Sequence, residues 1–153
     1  MEKRKLVQLC QCLLLVILLT LSNHTPCNAD VITLTEDIFS DKIKEKDTAW
    51  FVRFCVPWCK HCKSLGSLWE DLGKAMEGED EIEIGQVDCS VSKPVCSKVD
   101  IHSYPTFKLF YDGEEVAKYQ GPRNVESLKA FALEETEKAA AKALDVTVTD
   151  KEL

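Results

Sequence analysis

Trp50-Phe51-Val52-Arg53-Phe54-Cys55-Val56-Pro57-Trp58-Cys59-Lys60-His61-Cys62 decides how this chain folds. From Trp50 to Val56 the run is apolar except at Arg53. A strand covered on both faces reads this way, because neither set of alternate side chains meets water. Beyond Pro57 the pattern changes. Leu65, Leu68, Trp69, Leu72 and Met76 recur at steps of three and four, the period of a helix from Lys60 to Met76. Gly78 follows as a stop. Cys59 and Cys62 therefore stand where a buried strand gives way to a long helix. Cys55, inside the apolar run, reads as an inert core thiol, with a redox role as the alternative.

On the amino-terminal side, Val31 to Leu34 reads as a short strand, and Thr35 is placed to cap a helix containing Asp37 and Ile38. On the carboxyl-terminal side, Ile82 to Val87 alternates as a strand does. Ser92 to Val99 suits a short helix, with Pro94 tolerated in its first turn. Thr106 to Tyr111 is a strand, Asp112-Gly113 a hairpin turn, and Val116 to Tyr119 the returning strand. After Gly121-Pro122 comes an Ala- and Glu-rich helix from Val125 to about Ala143, then a polar tail from Leu144 to Leu153 that reads as loose. Strands alternating with helices predict an α/β sheet. The closing hairpin makes that sheet mixed, with helices flanking it.

The first 29 residues read as a segment apart. Lys3, Arg4 and Lys5 precede the unbroken apolar run Leu13 to Leu19, and Cys27-Asn28-Ala29 supplies small residues before Asp30. Basic start, apolar core and small-residue site are the order of a secretory signal. A spanning helix wants about 20 apolar residues, and Gln8, Gln11 and Thr20 interrupt a shorter stretch. The predicted organisation is a signal over 1–29, one domain over 30–143 and a tail over 144–153. The sequon Asn23-His24-Thr25 precedes the expected cut and has no role if cleavage follows Ala29.

The formal net charge is −7, and a signal with three basic residues and one acid leaves the remainder more acidic still. Nucleic-acid binding, which favours a basic patch, is not indicated. Of eight cysteines, Cys10, Cys12 and Cys27 fall in the signal, leaving Cys55, Cys59, Cys62, Cys89 and Cys96. An odd number in an oxidising compartment leaves at least one thiol unpaired within the chain.

Two cysteines three apart can close a small disulfide ring at a helix start. The first sulfur then faces the free N–H groups of the opening turn, which favour its anion. Lys60 and His61 add positive charge beside it. A thiolate is the attacking species in disulfide exchange. Stabilising the reduced form makes the disulfide more oxidising.

With these residues the chain resembles the catalytic domain of the protein disulfide isomerases, within the thioredoxin fold. The match covers about Val31 to Ala143 and is similar in detail to the small single-domain plant members. It rests on Phe51 to Cys62, Val87-Asp88-Cys89, Tyr104-Pro105-Thr106 and Gly121-Pro122-Arg123. The resemblance implies that Cys59 is the nucleophile and Cys62 the resolving cysteine, the two forming a redox-active disulfide that needs no further cofactor. It implies a cis bond at Tyr104–Pro105, where base rates alone favour trans. Pro105 would lie against the active-site disulfide and help hold an extended substrate, with Tyr104 and Trp58 beside it. Arg123 matches an arginine thought to approach the resolving cysteine and favour its thiolate. Cys89 and Cys96 would form a second, structural disulfide, as similar domains do; the alternative is two free buried thiols.

The pattern departs from the family at three positions. Lys60 replaces the glycine of the usual Cys-Gly-His-Cys motif, and the site is still expected to be oxidising, near about −180 mV. Arg53 and Gln86 stand where the family buries a glutamate and a lysine. Arginine has no acceptor and cannot be a general base, so resolution of mixed disulfides is expected to be slower than in a typical member.

Other readings of these residues remain open. A lone Cys-x-x-Cys is half of a zinc site, and Cys55, Cys89, Cys96, His61 or His102 would have to complete its four ligands. A purely structural 59–62 disulfide is a second alternative. Trp58 would contact substrate or merely cover the helix start, and His102 reads as a loop residue. Trp50, Trp69, Phe107 and Phe110 read as core, and Glu77 to Glu83 as a solvated loop. Asp150-Lys151-Glu152-Leu153 resembles a Lys-Asp-Glu-Leu retention signal with its first two residues exchanged.

The expected function is thus a dithiol–disulfide oxidoreductase of the endoplasmic reticulum lumen, secreted if the tail does not retain it. Its partners would be proteins bearing thiols or disulfides, with glutathione or an oxidase of that compartment as redox partner, and no membrane once the signal is removed. A chaperone-like or adaptor module that keeps the fold with little turnover is the alternative.

Overall fold

A computed structural model describes residues 30–149. The predicted signal and the Asp150–Leu153 tail lie outside the described residues.

The elements run β1 (Ile32–Thr33), α1 (Glu36–Lys42), β2 (Ala49–Cys55), α2 (Lys60–Lys63), α3 (Leu68–Ala75), β3 (Ile82–Asp88), α4 (Lys93–Lys98), β4 (Thr106–Tyr111), β5 (Glu114–Lys118) and α5 (Val125–Thr149). The sheet order is β1-β3-β2-β4-β5. β2 lies in the middle, parallel to β3 and antiparallel to β4. β1 joins the parallel side and β5 closes the hairpin.

The apolar run of β2 serves two cores because a strand sends alternate side chains to opposite faces. Trp50, Val52 and Phe54 pack with Leu34, Phe39 and Phe110. Ala49 and Phe51 pack with Trp69, Leu72, Leu109 and Leu128, and Cys55 is set against that second cluster. Gly85 on β3 lets the first core close. A Cβ there would come within 2.9 Å of Leu34 Cδ1 and 3.3 Å of the Trp50 ring.

Four local expectations change. The helix from Lys60 to Met76 is two pieces, α2 and α3, because the chain bends through Gly66 at φ +52°. The periodic residues Leu65, Trp69, Leu72 and Met76 nevertheless all reach the second core. Thr35 occupies the N-cap of α1, but its side chain makes no capping hydrogen bond. β5 begins at Glu114, directly after a tight turn in which Asp112 and Gly113 both have positive φ. α5 continues to Thr149 instead of ending near Ala143, since neither glycine nor proline interrupts Val125 to Thr149.

Cys89 and Cys96 form a disulfide with Cα atoms 5.8 Å apart. It ties the end of β3 to α4, and both residues are buried, at 3% and 4% exposure. In the chain-entropy account a loop this short contributes about 2–3 kcal/mol. The double variant Cys89→Ser/Cys96→Ser is expected to lose about that much in urea denaturation. A loss below about 1 kcal/mol would show that the buried contacts alone fix α4.

Candidate active site

The site forms at the carboxyl end of β2, where the strand stops and α2 begins. Cys59 is the N-cap of α2, and its carbonyl accepts the Lys63 N–H at 3.0 Å. This first helix is a single turn, so the aligned dipole behind Cys59 is shorter than the long helix expected from the sequence. Cys59 is half-buried and its Sγ lies 3.7 Å from the Tyr104 carbonyl oxygen, a thiol donating to a backbone acceptor. The Tyr104–Pro105 bond is cis. Cys59 and Tyr104 both pack against the first core. Lys60 and His61 are exposed on α2, and Trp58 is 70% exposed just ahead of it.

The disulfide expected between Cys59 and Cys62 is not the one present. Cys62 is bonded to Cys55, with Cα atoms 5.9 Å apart, and Cys59 is free. The reason lies in strand parity. Arg53 and Cys55 point to the opposite face of β2 from Val52 and Phe54. That is the face against which Leu65 and Trp69 pack. Cys62, one helical turn after the motif starts, therefore meets Cys55 from above. Cys55 is not the inert core thiol read from the apolar run.

A cavity of about 370 Å³ opens beside this disulfide, lined by Cys55, Cys62, Arg53, Gln86, Thr33 and Asp88, among others. Arg53 pairs with Gln86 across the β2–β3 register. Its Nη2 donates to Gln86 Oε1, and Gln86 Nε2 donates to Thr33 Oγ1 at 3.1 Å. The guanidinium lies 5.9 Å from the centre of the Trp69 ring, while its buried Nε has no partner. Burial pushes the Arg53 guanidinium below its usual value, and Glu70 opposes that shift. Arg53 and Gln86, both half-buried, thus line the cavity beside Cys62 as a cation and an amide, with no carboxylate in the pair. Arg123 stands exposed between β5 and α5. The cations that line the cavity with Cys62 are Arg53 and Lys63.

Among the described residues no group of three His, Cys, Asp or Glu side chains is arranged to hold a metal ion. His102 is exposed and pairs with Asp100 at 2.6 Å. One buried charge was missed in the sequence. Lys108, inside β4 and only 4% exposed, donates to Glu115 Oε2 at 2.6 Å and to the Val99 carbonyl at 2.7 Å. It fastens the end of α4 to the β4–β5 hairpin. A lysine between Phe107 and Leu109 was the available signal.

The thioredoxin family model matches residues 30–134. Protein disulfide isomerase-like 5-1 of Oryza sativa subsp. japonica is 77% identical over 127 residues, spanning 83% of this chain and 85% of the relative. The chain belongs to the thioredoxin family, among the protein disulfide isomerases. Protein disulfide-isomerase 5-1 of Arabidopsis thaliana is 75% identical over 125 residues, 82% of this chain and 84% of that one. Among solved structures, the J-Trx1 fragment of ERdj5 superposes with a TM-score of 0.65 at 33% identity. That match takes in 72% of this chain and 53% of the fragment, so this chain spans about half of it. A member of this family is a thiol–disulfide oxidoreductase, and this chain holds two cysteine pairs at disulfide distance. No helix among the described residues is long and apolar enough to cross a membrane.

Proposed function

We propose that this protein forms, reduces and rearranges disulfides in proteins of the secretory pathway, with Cys59 as nucleophile and Cys62 as resolving cysteine. The observation that supports this best is the free Cys59 thiol at the strand–helix junction, turned to the Tyr104 carbonyl beside cis Pro105. An extended substrate chain passing that loop brings its sulfur to Cys59. Exposed Trp58 offers it an apolar surface, and Lys60 brings a positive charge next to Cys59 in the chain, with His61 exposed beside it. The substrates are other proteins, and glutathione or an oxidase of the compartment sets the resting state. The putting-in and removal of residues 1–29 and retention by Asp150-Lys151-Glu152-Leu153 would place it in the lumen of the endoplasmic reticulum. Insulin reduction, with equilibration of the domain over residues 30–143 against glutathione buffers, tests the reading. A reversible couple near about −180 mV supports an oxidase or isomerase, and one near about −270 mV a reductase. No reversible couple would remove the enzyme.

The Arg53–Gln86 pair is the observation favouring the adaptor reading, since it puts an arginine and an amide at the positions of the family's buried charge pair and leaves Asp88 as the carboxylate lining the cavity. It also predicts slow resolution of mixed disulfides. In the double variant Arg53→Glu/Gln86→Lys, a carboxylate stands where Arg53 does, and the resolution step is expected to quicken at least about tenfold, below the roughly 100-fold or more that full general-base help supplies. Stopped-flow trapping of the mixed disulfide measures it. An unchanged rate would mean that proton transfer from Cys62 is not the slow step.

A further inference from the structure

We propose that the oxidised domain is a three-cysteine exchanger, in which Cys55 takes Cys62 out of the Cys59–Cys62 disulfide and leaves Cys59 free as a working thiol. The inference rests on the oxidoreductase reading and adds a catalytic role for Cys55. Three observations carry it. Cys62 is bonded to Cys55 while Cys59 is unpaired. Cys59 and Cys62 lie one helical turn apart, so Cys62 is also within bonding reach of Cys59. Cys55 and Cys62 open on a cavity, so the bond between them is accessible.

The exchange is internal. Cys55, as thiolate, attacks the Cys62 sulfur of the Cys59–Cys62 disulfide. The Cys55–Cys62 bond forms, the Cys59–Cys62 bond breaks, and Cys59 leaves as thiolate. The proton lost by Cys55 is balanced by one gained at Cys59 or left in solvent, and the oxidation level of the domain does not change. Cys59 then attacks a disulfide of a misfolded protein. A Cys59–substrate bond forms and the second substrate sulfur leaves as thiolate. That thiolate attacks another disulfide of the same substrate, and a substrate thiolate finally displaces Cys59. The substrate ends rearranged with no net oxidation or reduction. A two-cysteine site cannot do this when oxidised, because its nucleophile is tied up. Here the substrate class is a protein with mispaired disulfides, handled without a reducing partner.

Disulfide mapping of the wild-type domain tests this directly. The domain is oxidised with glutathione disulfide, quenched in acid, alkylated, and digested with trypsin and chymotrypsin. Cuts after Phe54, Trp58, Lys60 and Lys63 separate the three cysteines into different peptides. The expected result is a Cys55–Trp58 peptide linked to His61–Lys63, with Cys59 alkylated. A domain holding only the Cys59–Cys62 link, with Cys55 alkylated, would overturn the proposal. The second readout is reactivation of scrambled ribonuclease by pre-oxidised protein without added thiol. Wild type is expected to exceed Cys55→Ser and Cys55→Ala by at least tenfold. Equal rates would overturn the proposal even if the link were found. Insulin reduction by wild type separates the two levels. If it is normal while the mapping fails, the exchanger falls and the oxidoreductase stands; if it is absent, both fall.

Discussion

Replacing Cys59 by serine is expected to drop insulin reduction to its uncatalysed background, a loss of at least about 1000-fold, or roughly 4 kcal/mol of barrier. A hydroxyl is a far weaker nucleophile than a thiolate and cannot form the mixed disulfide. The position makes the effect specific. Cys59 is the free cysteine of the described chain and the one hydrogen-bonded at the Tyr104–Pro105 loop. The fold should not suffer, since Cys59 is only half-buried and both disulfides are formed without it. Circular dichroism and urea denaturation should match wild type within about 0.5 kcal/mol. Residual turnover above about one tenth in a folded variant would transfer the nucleophilic role to Cys55 or Cys62.

Trp69→Ala is expected to be the most damaging core change, at about 4 kcal/mol in urea denaturation. Trp69 is fully buried and stacks on Phe107 at 5.3 Å, with Phe51 tilted against it at 5.2 Å. Its indole Nε1 donates to the Gly85 carbonyl at 2.9 Å. Truncation leaves a cavity and strips that carbonyl of a buried donor, and the two costs add. The ring also lies under Arg53, so the variant should loosen the lining of the Cys55–Cys62 cavity. Trp58→Ala is the control. Its ring is mostly in water, and its loss should cost less than about 0.5 kcal/mol while raising KM for protein substrates. A Trp69→Ala loss below about 1.5 kcal/mol would mean that α3 and α5 collapse into the space.

Much of this was legible in the residues. The apolar run at 50–56 named the central strand because no exposed strand tolerates Phe51, Val52 and Phe54 together. Leu65, Trp69, Leu72 and Met76 named the helix face that covers it. What escaped the reading were features set by geometry between elements. Gly66 broke the helix although the period ran straight through it, since side-chain spacing reports which face is buried and not whether the backbone is continuous. Cys55 was read by its apolar neighbours and not by its parity. It stands two residues after Arg53, the one charged position of the strand, and so shares that residue's face. Counting by twos from Arg53 would have turned Cys55 toward Cys62. Lys108 between Phe107 and Leu109 did signal a buried lysine, but its partner, the exposed Glu115, lies across a hairpin where that local pattern does not reach.

The two disulfides share one more property, their span. Cys55–Cys62 and Cys89–Cys96 each close a separation of seven residues. The entropy lost by the unfolded chain is therefore the same for both, to the extent that it depends on loop length. Any difference in how readily they are reduced must come from the folded state: one bond opens on a cavity beside Arg53, the other is sealed under the first core. The domain thus carries two bonds of matched span, one open and one buried, whose reduction can be compared within a single titration.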